Sequence, residues 1–282
     1  MPELATIAHA LAYARALGVD RLDAQLLLAH QLGRSRAWLL AHDDATLTAT
    51  QGDAMGVLLA RRKAGEPLPY LVGEREFHGL VLRVTPDVLV PRPETETLVD
   101  WALELLADIE AARIAELGTG SGAIALALKH ACPSAQVHAS DASAAALAVA
   151  RDNGLRLGLA VAWHQGDWWQ ALGGARRFDL AVANPPYIAA GDPHLGALRY
   201  EPREALVATG DPGNGLADIE RIAAAAPDFL NAGAWLLLEH GFDQAGAVRE
   251  LLQHAGFGSV STRIDLAKQP RVSGGRLGGA LN

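Results

Sequence analysis

The sequence predicts an α/β protein: a doubly wound, mostly parallel sheet, preceded by a small helical bundle and closed by an antiparallel hairpin. Three observations predict it. Apolar residues recur at helical spacing through residues 1–73, and strand-like and helical runs then alternate from 113 to 254. The last two extended runs, 258–263 and 271–277, leave no room between them for a crossover helix. Alternation of that kind places helices on both faces of parallel strands, whereas two strands without a crossover pair antiparallel.

In the bundle, Leu4, Ile7, Ala8 and Leu11 share a helical face, followed by Leu22, Leu26 and Leu27 and then Trp38 and Leu39. Breaks are expected at Gly18, at Gly33-Arg34-Ser35 with Ser35 as an N-cap, and around His42-Asp43-Asp44. A further helix is expected over 48–64, stopping at Gly65 ahead of Pro67 and Pro69. The bundle carries no evident catalytic cluster. Between 74 and 90, Phe77-His78-Gly79-Leu80 lies between two extended runs and predicts a hairpin linker. Pro91-Arg92-Pro93-Glu94-Thr95-Glu96 ends it, and Thr95 or a neighbour starts a helix carrying Leu98, Val99, Ala102, Leu105 and Leu106.

Residues 91–282 read as the main domain. Strands are expected near 113–117, 136–140, 160–164, 179–183 and 234–239, and helices near 123–131, 142–157, 216–230 and 243–254. With the terminal hairpin, that makes a seven-stranded sheet.

Composition narrows the function. The chain has 282 residues, enough for one large domain or two smaller ones. Its single cysteine, Cys132, excludes an intramolecular disulfide framework and a cysteine-based zinc cluster. No signal pattern and no bilayer-length apolar run is evident, so the cytoplasm is the expected location and no membrane partner is expected. The net charge of −8 argues against a protein whose main work is gripping nucleic acid backbone. The basic run Arg61-Arg62-Lys63 reads as a solvated helix face, and the ten histidines show no metal-ligand spacing.

The chemistry is concentrated at the ends of expected strands. Glu116-Leu117-Gly118-Thr119-Gly120-Ser121-Gly122 follows a strand and opens a helix. Glycines permit a tight turn and close backbone approach, and the helix start offers N–H donors to an anionic group. One residue, not two, separates the second and third glycines, and a P-loop lysine is absent; the spacing fits an S-adenosylmethionine loop better than a dinucleotide or triphosphate loop. Asp141 ends the next strand, where it can accept from ribose hydroxyls or cap a helix. Asp167-Trp168 follows the third strand and offers an acceptor with a flat apolar face; Trp168 can equally be core. The run from 178 ends at Asn184-Pro185-Pro186-Tyr187. Two prolines lack N–H groups and cannot continue a ladder, so the loop is stiff and carries an amide, free carbonyls and a ring. Such a loop can grip a planar group bearing an NH₂.

These motifs resemble the peptide chain release factor glutamine methyltransferase family (PrmC/HemK). The resemblance rests on Glu116–Gly122, Asp141 and Asn184–Tyr187, narrowed by Arg75-Glu76-Phe77, Pro91–Glu96 and Leu237-Leu238-Glu239-His240-Gly241. It runs from the bundle to Arg271-Val272 and Gly275-Arg276. It implies a class I, Rossmann-like methyltransferase domain over 91–282 and a bundle over 1–73 that docks the release factor. It also implies methyl transfer from S-adenosylmethionine, without metal, to the glutamine of the Gly-Gly-Gln motif in release factors 1 and 2.

By the same resemblance, Gly118, Thr119, Gly120, Ser121 and Gly122 line the methionine end of the cofactor. Asp141 takes its ribose, and Asp167 and Trp168 flank its adenine. Asn184, Pro185, Pro186 and Tyr187 hold the glutamine, with Asn184 bordering the cofactor as well. A monomer is expected, with no nucleic acid requirement. Glu116 stands where many methyltransferases carry aspartate, and Asp211-Pro212-Gly213-Asn214-Gly215 is richer in glycine than the pattern predicts.

Phe77, Arg92 and Glu94 either approach the site from the linker or serve hairpin packing and a surface ion pair. Two other readings share the same motifs: methylation of an exocyclic amino group on a nucleic acid base, and a cofactor-sensing adaptor. The absence of an evident target-recognition domain counts against the first.

Overall fold

The bundle sequence carries its own stop and start signals, and the computed structural model, which describes residues 4–173 and 177–278, follows them. Termini at 1–3 and 279–282, included in the expected domain ranges, lie outside the described residues. The chain divides into two compact units, Met1–Glu74 and Arg75–Asn282.

The first unit holds helices α1 (Ile7–Leu17), α2 (Arg21–Leu32), α3 (Arg36–Ala41), α4 (Ala49–Lys63) and α5 (Leu68–Val72). Thr6, Asp20, Ser35 and Thr48 cap the first four with side-chain oxygens, and Thr48 forms a reciprocal capping box with Gln51. Each cap satisfies backbone donors that the helix leaves open, worth about 1 kcal/mol. Ile7, Leu27, Leu28, Leu39, Met55 and Leu59 form the core of this unit.

Two expectations need correction. Leu4 precedes α1, and Ala8 faces solvent; the buried stripe of α1 is Ile7, Ala10 and Ala14. Helix α5 was not expected because Pro67 and Pro69 read as breakers. They occupy its N-cap and first turn, where a missing N–H costs nothing.

The second unit opens with the hairpin β1 (Glu74–Phe77) and β2 (Leu80–Arg83). His78 and Gly79 both take positive φ, the backbone of a tight two-residue turn. Regular pairing stops at Arg83 rather than near Val90. Pro86 has no N–H to give, and Val88 N bonds back to Thr85 O at 3.1 Å. A 3₁₀ turn at Pro93–Thr95 leads into α6 (Glu96–Leu106).

Strand and helix then alternate through β3 (Arg113–Leu117), α7 (Ala123–Ala131), β4 (Gln136–Asp141), α8 (Ala144–Leu157), β5 (Ala162–Gln165) and β6 (Phe178–Ala183). The chain continues through α9 (Ala217–Phe229), β7 (Leu230–Glu239), α10 (Ala245–His254), β8 (Phe257–Ile264) and β9 (Pro270–Leu277). The seven-stranded sheet has the order β5-β4-β3-β6-β7-β9-β8, parallel except around β9. Side chains alternate across it: Ile114, Leu180, Val182 and Leu237 pack towards α6 and α7, and Ala115, Leu117, Ala181 and Leu236 towards α9 and α10.

Strand β7 starts four residues earlier than expected. Gly233 takes positive φ at a register irregularity against β6, and that local break hides the first half of the strand from its sequence pattern. The functional consequence lies at the centre of the sheet. β3 and β6 are neighbours, with Leu117 opposite Ala183, so the glycine loop and the Asn-Pro-Pro-Tyr loop leave the sheet side by side.

Candidate active site

The glycine loop is tied down by the strand beside it. Gly118 and Thr119 both donate N–H bonds to the Ser140 carbonyl at 2.9 Å, joining the ends of β3 and β4. Gly118, Gly120 and Gly122 have φ of 75°, 55° and 84°, a region that costs other residues about 1–2 kcal/mol each. Gly120 N donates to Asp141 Oδ2 at 2.8 Å, and Ser143 N to Oδ1 at 2.9 Å. Ser143, not Asp141, caps α8, which leaves the aspartate at the strand end facing the cavity. Burial raises the Asp141 carboxyl above its usual range, opposed by those two backbone donors.

Glu116 was read as a minor departure, but it lies wholly buried beneath the loop. Its Oε2 accepts from Thr119 Oγ1 at 2.5 Å and from Ala125 N at 3.1 Å, while Oε1 is buried without a partner. Burial pushes its pKa up to about 8, against the lowering effect of its two donors.

The adjacent tryptophans separate two roles that the sequence left open. Trp169 is core, stacked on Phe229 at 5.0 Å between ring centres. Trp168 lines the cavity with φ of 41°, and its indole covers Gly118, where an added Cβ would stand 3.1 Å from the ring. Its Nε1 donates to Asp218 at 3.2 Å. Arg221 pairs with both Asp218 and Asp167, closing that rim. Neither Asp218 nor Arg221 was anticipated; both come from α9, fifty residues further along the chain.

On the other side, Asn184 Nδ2 donates to Thr95 Oγ1 at 3.3 Å. Thr95 begins α6 but makes no helix cap; its hydroxyl faces inward instead. Asn184 and Pro186 line the cavity, whereas Pro185 is buried and Tyr187 turns its ring towards the core of the sheet. The Tyr187 hydroxyl reaches Glu239 Oε1 at 3.4 Å, and its pKa is raised by burial and then by the Glu239 charge. The Tyr187 carbonyl accepts from Gln244 Nε2 at 3.0 Å. That close fit accounts for Gly215, the last residue of the glycine-rich stretch at 211–215. A Cβ on Gly215 would stand 2.0 Å from the Tyr187 oxygen.

Phe77 and Arg92 line the cavity; Glu94 does not line it, and its charge helps raise the Glu239 pKa. Arg92 is no surface pair. Its partner Glu201 has a side chain 2% exposed, bonded to Arg92 at 2.5 Å and to Val90 N at 3.1 Å. The cavity measures about 240 Å³, far more than the ~15 Å³ that one ordered water requires. Among the described residues, no group of three or more His, Cys, Asp and Glu side chains is placed to hold a metal ion, and no helix is long and apolar enough to cross a membrane.

A seven-stranded sheet with a terminal antiparallel pair, carrying a glycine loop and an Asn-Pro-Pro-Tyr loop on its two central strands, has the architecture of class I methyltransferases. Comparison with known proteins agrees and goes further. Residues 4–73 match the model of the PrmC N-terminal domain, and residues 96–205 that of the methyltransferase small domain. The release factor glutamine methyltransferase of Bordetella pertussis is 53% identical over 92% of this chain and 96% of its own length. That of Burkholderia pseudomallei is 49% identical over 99% of this chain and 98% of its own. Among solved structures, the T. thermophilus 16S rRNA N2 G1207 methyltransferase, determined in complex with AdoMet and guanosine, superposes with a TM-score of 0.55. At 19% identity, over 72% of this chain and 49% of that one, it supports the fold alone. The chain belongs to the release factor glutamine methyltransferase family, and it is an enzyme of the methyltransferase class.

Proposed function

We propose that this protein transfers a methyl group from S-adenosylmethionine to the side-chain amide nitrogen of the glutamine in the Gly-Gly-Gln motif of bacterial class 1 release factors. The observation that carries the reading is the shared cavity: the glycine loop of β3 and the Asn184 loop of β6 open into it from neighbouring strands.

The residues present fit S-adenosylmethionine. The unpartnered Glu116 Oε1 suits a cationic amino group, and each Asp141 oxygen keeps a lone pair for a ribose hydroxyl. Trp168 supplies a flat face for the adenine, with Asp167 beside it, and Gly118 to Gly122 surround the methionine end. Bound there, S-adenosylmethionine supplies an electrophilic methyl on sulfur.

The protein's task is to make the amide nitrogen a nucleophile. Its lone pair is delocalised into the carbonyl, the resonance that gives a peptide C–N bond a rotation barrier of about 18–20 kcal/mol. On this reading Asn184 Oδ1 and the main-chain carbonyl of Pro185, whose own ring is buried and does not line the cavity, each accept one N–H of the glutamine. Both bonds strengthen as the nitrogen becomes positive, so they favour the transition state over the ground state. Tyr187, anchored at its hydroxyl by Glu239 and at its carbonyl by Gln244, fixes the line of approach, and Pro186 walls the site. The proton leaves after transfer, and no general base is assigned.

The helical bundle docks the release factor (1 or 2), joined through the 74–90 hairpin, and the enzyme acts as a cytoplasmic monomer without nucleic acid. Incubating purified release factor with this protein and S-adenosylmethionine, followed by mass spectrometry, tests the reading. One added methyl on the Gly-Gly-Gln glutamine is expected. Intact factor left unmodified would overturn the assignment.

A further inference from the structure

We infer that Asn153 is a positioning residue for the glycine loop, bracing it against the linker hairpin in the shape that receives the cofactor. This rests on the reading of that loop as the S-adenosylmethionine site.

The sequence already marks the position. Asn153-Gly154 lies inside α8, where both residue types are poorer helix formers than the alanines and leucines around them. Both are buried, and Asn153 is 0% exposed. A buried amide costs stability unless it is hydrogen-bonded. The Asn153 side chain finds three main-chain partners, none of them in α8. Its Oδ1 accepts from Arg83 N at 2.7 Å, and its Nδ2 donates to Arg83 O and to Ser121 O, both at 2.9 Å. A main-chain N–H only donates and a carbonyl only accepts, so these partners fix which end of the amide faces which.

The two anchors explain what the brace does. Ser121 lies within the glycine loop, where Gly122 N donates to Thr119 O at 2.9 Å and closes a turn. The peptide between Ser121 and Gly122 is thus held at its N–H by Thr119 and at its carbonyl by Asn153. Gly120 and Gly122, both at positive φ, flank Ser121 and give this segment little steric restraint of its own. Side-chain hold therefore adds to the main-chain ties at Ser140 and Asp141. The packing leaves no slack: an added Cβ on Gly122 would stand 3.2 Å from both Ala150 and Trp163, and one on Gly154 3.3 Å from Trp163. The other anchor, Arg83, ends β2, and beyond it the same segment lines the cavity at Val88, Leu89, Pro91 and Arg92. Arg83 gives Asn153 main-chain atoms only. Its guanidinium pairs with Asp152 at 3.3 Å, with both side chains exposed.

The test uses the full chain, with cofactor affinity measured by calorimetry, and with kcat and acceptor KM measured on release factor at saturating cofactor. Asn153→Leu keeps the volume and loses the bonds. Losing one hydrogen bond of ordinary strength lowers the population of the competent loop about tenfold, and cofactor affinity should fall about tenfold with it. At saturating cofactor the loop is refilled, so kcat and acceptor KM should stay within about twofold; a merely structural role would move all three together. A second pair of variants reaches the brace from its far end and leaves α8 intact. Arg83→Pro removes the N–H that Asn153 accepts and should lower cofactor affinity about threefold. Arg83→Ala loses only the exposed ion pair and should leave affinity unchanged. Normal affinity in Asn153→Leu, a fall of kcat in step with affinity, or equal affinities in Arg83→Pro and Arg83→Ala would each overturn the brace. Should Asn153→Leu not fold, the comparison of Arg83→Pro with Arg83→Ala decides alone. If Gly118→Ala leaves cofactor affinity unchanged, the cofactor reading of the loop falls; if Gly118→Ala weakens binding while Asn153→Leu and Arg83→Pro do not, only the brace falls.

Discussion

The two loops that meet in the cavity are built on opposite principles. The loop after β3 is glycine, turned through left-handed backbone, and it is held by main-chain bonds to the adjacent strand at Ser140 and Asp141. The loop after β6 is proline, stripped of N–H donors, and it is held by side chains from distant elements: Thr95, Glu239 and Gln244. On the proposed function, the difference follows from the two tasks. Wrapping a cofactor needs close backbone approach, which glycine permits. Gripping an NH₂ needs rigid acceptors with no competing donors, which proline supplies.

Substitutions that break one loop should leave the other working. The largest effect is expected for Asn184→Ala, which removes an acceptor that strengthens in the transition state. Turnover should fall about 10²–10³-fold while calorimetry shows unchanged cofactor affinity. Next comes Gly215→Ala. Its Cβ would overlap the Tyr187 carbonyl, so the proline loop must move, and kcat should fall about 10–100-fold with cofactor binding intact. The reverse split is expected for Gly118→Ala, where positive φ and the Trp168 ring both oppose a side chain. Cofactor affinity should fall about tenfold, the equivalent of roughly 1–2 kcal/mol of left-handed strain, with little change in kcat at saturating cofactor.

The smallest effect concerns stability, and it compares the acids beneath the two loops. Glu116 and Glu239 both have folded-state pKa values raised by burial, to about 8 and about 7 from 4.5. The folded state therefore binds more protons than the unfolded one across this range. Their contribution is full below about 4.5 and is lost as pH rises through 7 for Glu239 and through 8 for Glu116. Denaturant unfolding should show stability falling over that window. Glu239→Gln should reduce the slope between about pH 4.5 and 7, and Glu116→Gln should reduce it between about pH 4.5 and 8.

The same contrast explains what was legible in the sequence. The glycine loop and its neighbours lie within residues 113–168, where strand, turn and helix follow in order, so a local pattern reveals the whole construction. Ser35, Thr48 and the edges of α7 were legible for the same reason: caps and breakers act on residues three or four positions away. The acceptor loop announces itself in Asn184–Tyr187, but its supports do not. Thr95 read as a helix start, Gly215 as an anomaly, and Glu201 carried no signal. Each is explained by contacts across roughly thirty to 110 residues of chain, which no periodicity encodes. Glu239 did leave a trace, since a carboxylate ending the apolar run Trp235-Leu236-Leu237-Leu238 would be costly unless something buried required it. Helix α5 was hidden by prolines that its first turn tolerates.

The strand order has a consequence for how such an enzyme can change. From β3 the chain moves outward to β5, then returns to β6 and moves outward the other way. Apart from Thr95 and its neighbours, and from Asp218 and Arg221 of α9, which close the rim at Asp167 and Trp168, one continuous stretch of gene encodes the donor half and the next encodes the acceptor half. They share a seam one strand wide. An acceptor loop can therefore be exchanged, by recombination or by design, without rewriting the half that holds the donor, provided the incoming loop brings its own counterpart to Glu239.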